Sequence, residues 1–185
     1  MKITRTRNSK LALTGLILLT TCACSSVISK RPLGERPARI VAKEWEGNWL
    51  GPDGPVNVKV VDADKAILSV AWLEDDEQGK PTMKTAQVEL QQSGDWLFAN
   101  TWEEDKGRGY IWGRIKNEDG HVTVWLPDEK VFKQLMKDGI FPGKTDGDEI
   151  VLDELEPQHL KLITSAERGV LFFWDKPLVF QKVRN

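Results

Sequence analysis

Val56-Asn57-Val58-Lys59-Val60 points to the class of fold. Three β-branched apolar residues alternate with two polar ones. That is the two-residue period of a strand with one dry face and one wet face. The period recurs in Ala66, Leu68, Val70 and Trp72, and in Ala86, Val88 and Leu90, where Gln87 and Glu89 take the other face. Trp96, Phe98, Asn100 and Trp102 continue it. Tyr110, Trp112 and Arg114 interleave with Ile111 and Ile115, and Val122, Val124 and Leu126 close the series. Turn residues divide the runs, among them Pro52-Asp53-Gly54-Pro55, Ser93-Gly94-Asp95 and Asn117-Glu118-Asp119-Gly120. Short connections between successive strands predict an antiparallel meander.

The period changes at Pro127. Val131, Phe132, Leu135 and Met136 share one helical face, and Gly139 stands where a helix C-cap belongs. The spacing predicts one short amphipathic helix over 128–138 that plugs or flanks the sheet. Segments 150–155 and 160–163 fit helix and strand alike, and strands are expected over 170–174 and 178–183, with Asp175-Lys176-Pro177 as the turn between them. A mainly β chain with this many short strands has an edge problem, and closure into a barrel removes it. A two-sheet sandwich is the alternative.

Gly47-Asn48-Trp49 opens the first strand. This Gly-x-Trp resembles the motif of lipocalins and related calycin barrels. The resemblance implies an up-and-down barrel, with Gly47 and Trp49 structural, Trp49 closing the floor, and an interior that holds a small apolar ligand. The chain departs from the family pattern in two ways: no Thr-Asp-Tyr motif follows, and the helix comes after about the sixth strand rather than the eighth.

The N-terminus carries a different signal. Lys2, Arg5, Arg7 and Lys10 precede an apolar run from Leu11 to about Thr21, too short for the roughly 20 residues a spanning helix needs. Ala23 then precedes Cys24. A basic start, a short apolar core and a small residue before cysteine resemble a bacterial lipoprotein signal peptide. The resemblance implies cleavage after residue 23 and acylation of Cys24, with Cys22 the rival site. Ser26, two places after Cys24, implies sorting to the outer membrane, facing the periplasm. The two cysteines are the whole complement of the chain, so cleavage at Cys24 would leave no internal disulfide. The expected division is a signal peptide over 1–23, the lipidated cysteine and a flexible tether over 24–43, and the barrel domain over 44–185. The tether's Lys30, Arg31, Arg36 and Arg39 are placed either near lipid headgroups or simply in solvent.

Charge narrows the partners. The chain carries a formal charge of −2, and losing the four basic residues of the signal takes it to −6. An acidic chain is a poor match for nucleic acid, and none is expected as partner.

Chemistry is sparse. His121 and His159 are far apart, in no ligand spacing, and read as exposed residues at strand ends. Gly139 to Thr145 has three residues between its glycines where a phosphate loop needs four, and a helix precedes it where a strand is required. The carboxylate runs Glu74-Asp75-Asp76-Glu77 and Glu103-Glu104-Asp105 lack calcium-loop spacing, as does Asp146-Gly147-Asp148-Glu149, and read as solvated loops. No metal site, cofactor or enzymatic centre is expected. Tryptophan is the oddity, with eight against one tyrosine. Large aromatics can fill a small β core or line a binding cavity. Trp96, Phe98 and Trp102 share a strand face and are the expected ligand contacts. Two functions fit: an anchored barrel that binds a small apolar ligand or lipid, and an accessory lipoprotein that docks on another envelope protein; an envelope hydrolase ranks behind both.

Overall fold

The structure, a computed structural model, describes residues 26–104, 107–165 and 171–184. The signal peptide and both cysteines, Cys22 and Cys24, lie outside the described residues.

In chain order the elements are β1 (Val27–Ser29), β2 (Arg36–Pro37), α1 (Ala42–Trp45), β3 (Gly47–Gly51), β4 (Gly54–Asp62), β5 (Ile67–Asp75) and β6 (Pro81–Ser93). Then come β7 (Trp96–Trp102), β8 (Tyr110–Glu118), β9 (His121–Trp125), α2 (Glu129–Lys137), β10 (Gly143–Asp146), β11 (Glu149–Leu152), α3 (Pro157–Ile163) and β12 (Leu178–Lys182). From β3 to β9 each strand pairs antiparallel with the next. The C-terminal β12 lies between β9 and β3 and closes the ring. The fold is therefore a closed, eight-stranded, antiparallel up-and-down barrel, lipocalin-like in architecture. Closure satisfies both edges of the meander, the role expected of it.

The strands form where the alternation predicts them, and the helix at 128–138 is present as α2. Asp128 caps it, its carboxylate accepting from the backbone N–H groups of Lys130 and Val131 at 2.9 and 3.3 Å. Gly139 follows the C-cap with φ +71°, the left-handed turn that glycine makes at low cost. α2 comes after the seventh barrel strand, not the sixth.

Three expectations are corrected. Segment 24–43 is not a flexible tether from Ser26 onward. β1 pairs in parallel with β11 and antiparallel with β8, and Val27, Ile28, Leu33 and Ala38 are buried. Its basic residues are partly engaged, Lys30 with Asp153 and Arg31 with Glu154, in exposed ion pairs. Second, among the described residues no strand runs through 171–174, the part of the expected 170–174 strand that the structure describes. Leu171 and Phe172 are buried, and the latter makes a single bridge to Pro127. Third, the described residues contain three helices rather than one. The ambiguous segments resolve as β11 and α3.

Two cores result. One fills the barrel, with Trp45, Trp49, Val58, Leu68, Val88, Leu90, Ile115, Val122 and Phe180. The other lies outside it, where α2, α3, β1 and β11 cover the outer face of β7 and β8 around Phe98, Trp112 and Phe132. β8 serves both cores: Tyr110 and Ile111 pair with β1, while Arg114 to Glu118 pair with β9.

Candidate functional site

The barrel interior follows from alternation. Inward positions on β4, β5 and β6 carry Val56, Val58, Leu68, Val70, Val88 and Leu90. On the β6–β7–β8 wall the inward positions shrink to Ala86, Ala99 and Gly113, the last two directly opposite one another. The missing side-chain volume leaves a cavity of about 220 Å³. Its walls are almost wholly apolar, and Asp53 is the one charged lining residue. The exposed lining residues are Asp53, Pro55 and Leu73, which puts the mouth at the β3–β4 turn.

At the opposite end α1 leads straight into β3. Trp49 is 2% exposed, and its Nε1–H donates to the Trp45 carbonyl at 2.8 Å. The Lys182 ammonium lies 5.3 Å from the Trp49 ring centre and donates to the Lys43 carbonyl at 2.7 Å. Trp49 thus sits at the floor with its polar atom satisfied. Gly47 precedes it with φ +125°, a backbone region open to glycine.

The expected ligand face is the wrong face of β7 for this cavity. Leu97 and Ala99 point inward, so Trp96 and Phe98 point out, by the pleat. Phe98 is fully buried in the outer core, edge-on to Trp112 at 6.2 Å. Trp96 packs on Phe98 and Phe172 at that core's margin. Trp102 is 47% exposed and meets Tyr110 across the β7–β8 pair. The three share a face, as the spacing requires, but none lines the cavity.

The outer core holds chemistry that the sequence did not advertise. Arg114 stacks over Trp96, its guanidinium carbon 3.7 Å from the ring centre, with Trp174 at 4.8 Å and Trp125 at 5.5 Å. Burial lowers its pKa. Arg108, 15% exposed, is ringed by carboxylates: Glu103 in a two-point contact at 2.6 and 3.0 Å, Asp146 at 2.8 Å, and Glu149. Those hydrogen bonds, led by Glu103, drive its pKa further up. Glu103 is only 7% exposed, so the solvated-loop reading is corrected at Glu103 and, in the third run, at Glu149, which also pairs with Arg108. His121 is exposed at the start of β9, but His159 is not at a strand end. It accepts from the Glu156 N–H at 2.9 Å and caps α3. Among the described residues no group of histidines, cysteines and carboxylates could hold a metal ion.

No protein-family model, no curated protein and no solved structure matches this chain.

Proposed function

We propose that the protein is a lipid-anchored cell-envelope protein whose barrel binds a small apolar ligand, with no chemical step assigned to it. The carrying observation is the apolar cavity of about 220 Å³ that opens at one end of the closed barrel. An engineered apolar cavity of about 150 Å³ stays dry and takes up benzene, whereas drug-sized ligands need roughly 300 Å³ or more. The cavity therefore suits a single ring or one acyl chain. Asp53 at the mouth disfavours a leading carboxylate and favours a neutral or cationic polar end. The anchor rests on the signal-peptide resemblance, with Cys24 as the acylated residue at the outer membrane. Cys24→Ser should release the protein into the soluble envelope fraction or leave it unprocessed.

Titration with a fluorescent acyl probe tests the cavity. Wild type should bind saturably. Ala99→Phe, which places a ring in the cavity, should abolish binding while the melting temperature holds.

One observation favours docking on another envelope protein instead. Leu73 and Met83 are cross-strand partners on β5 and β6, 66% and 72% exposed. A wild-type barrel that binds no probe would leave this second reading in place.

A further inference from the structure

We propose a second binding site, on the outside of the barrel, in which Arg114 holds a small oxyanion, a carboxylate or a phosphate, between the indoles of Trp96, Trp125 and Trp174. A guanidinium offers five N–H donors in a fixed fork and stays charged. Burying it is costly unless acceptors replace water. Arg108 shows how this chain meets that need, with three carboxylates around one half-buried guanidinium. Arg114 is half-buried as well, yet among the described residues no carboxylate or carbonyl accepts from it. Among the described residues its partners are aromatic rings, which attract the cation but offer no oxygen to its N–H donors.

The element positions fit a built site. Arg114 lies directly across from Trp125 on β9 and from Phe98 on β7. Trp96 is two residues before Phe98 on the same face, and Trp174 comes from the segment before β12, packing at 6.2 Å from Trp96 and 5.3 Å from Trp125. All three indoles and Arg114 are half-buried, so each keeps some exposure to solvent. An oxyanion taken there would form the two-point contact that guanidinium makes with carboxylate or phosphate. Any ring or chain it carries would lie on indole.

The test uses the full chain in detergent and four probes: phenyl phosphate, benzoate, inorganic phosphate and neutral benzyl alcohol. Binding is read from the indole N–H signals of Trp96, Trp125 and Trp174, which separates this site from the barrel cavity and its Trp45 and Trp49. Phenyl phosphate or benzoate should shift the outer three signals saturably, and added salt should weaken the effect. Arg114→Met, which keeps the stem on the ring but removes charge, should weaken binding about tenfold or more, and Arg114→Lys by less. Inorganic phosphate binding as well as phenyl phosphate would identify the ligand as the free ion, and weaker binding an organic acid; both support the site. Absence of saturable shifts with any anion, equal binding of benzyl alcohol, or unchanged binding by Arg114→Met would overturn it. Should Arg114→Met fail to fold, the wild-type contrast of phenyl phosphate with benzyl alcohol still decides.

Discussion

Single residues carry unequal weight in this fold. Trp49 fills the barrel floor with its N–H satisfied, so Trp49→Ala should cost about 3–5 kcal/mol, read by thermal or denaturant melts. Asn100 is the polar counterpart. It is fully buried, its Oδ1 accepts from the Leu33 N–H at 2.6 Å, and its amide donates to the carbonyls of Leu33 and Glu89 at 3.1 and 3.3 Å. Asn100→Ala orphans those backbone groups, at about 1–3 kcal/mol for each one left dry. The strand period puts Asn100 on the face of Trp96, Phe98 and Trp102 but gives no hint that it clamps a segment 67 residues upstream. Glu89 makes a pH prediction. Burial raises its pKa above the ordinary 4.5, so the fold favours its protonated form. That contribution is complete below the unfolded pKa and is lost as pH rises through the folded one. Glu89→Gln should therefore raise the melting temperature at neutral pH and flatten its decline above about pH 4.5.

Elements were legible in proportion to how much local chemistry specifies them. β4 to β9 follow from alternation, and α2 from its apolar stripe, cap and glycine. Asp128→Ala should cost about 1 kcal/mol, seen as a lower melting temperature with the barrel intact. β1 was illegible because three residues, Val27 to Ser29, carry no period. Its stability comes from partners distant in sequence: Ile150 to Leu152 on one side, Tyr110 and Ile111 on the other. The backbone amides of Val27 to Ser29 should accordingly exchange as slowly as those of β8. Rapid exchange there would contradict the packed arrangement. The apolar run at 170–174 reads as strand, yet Leu171, Phe172 and Trp174 are drawn into the outer core instead, where Phe172 packs against Trp96, Trp112 and Trp174.

Across the whole molecule, the miss at the candidate site has one cause. A single barrel core implies one buried face per strand, and the aromatic face of β7 is the natural choice for it. β7 and β8 are buried on both faces, and the sequence does carry that signal: Trp96-Leu97-Phe98-Ala99 and Tyr110-Ile111-Trp112 are unbroken apolar runs. Such runs mark strands packed on two sides. The small residues Ala86, Ala99 and Gly113 that open the cavity are silent in one sequence, because a small inward residue is legible only beside its neighbours across the sheet.

With Cys24 acylated as proposed, the burial of Val27 would set the molecule's standoff from the bilayer. Val27 is three positions after Cys24, a span of about 10 Å at full extension. A disordered stretch over 24–43 would have allowed an average of about 25 Å. An acyl group on Cys24 would therefore hold the domain within a side chain or two of the headgroups and restrict its tumbling. A domain held so closely would not reach across the periplasm. Whatever enters the barrel would have to come from, or leave into, the layer of solvent next to the bilayer.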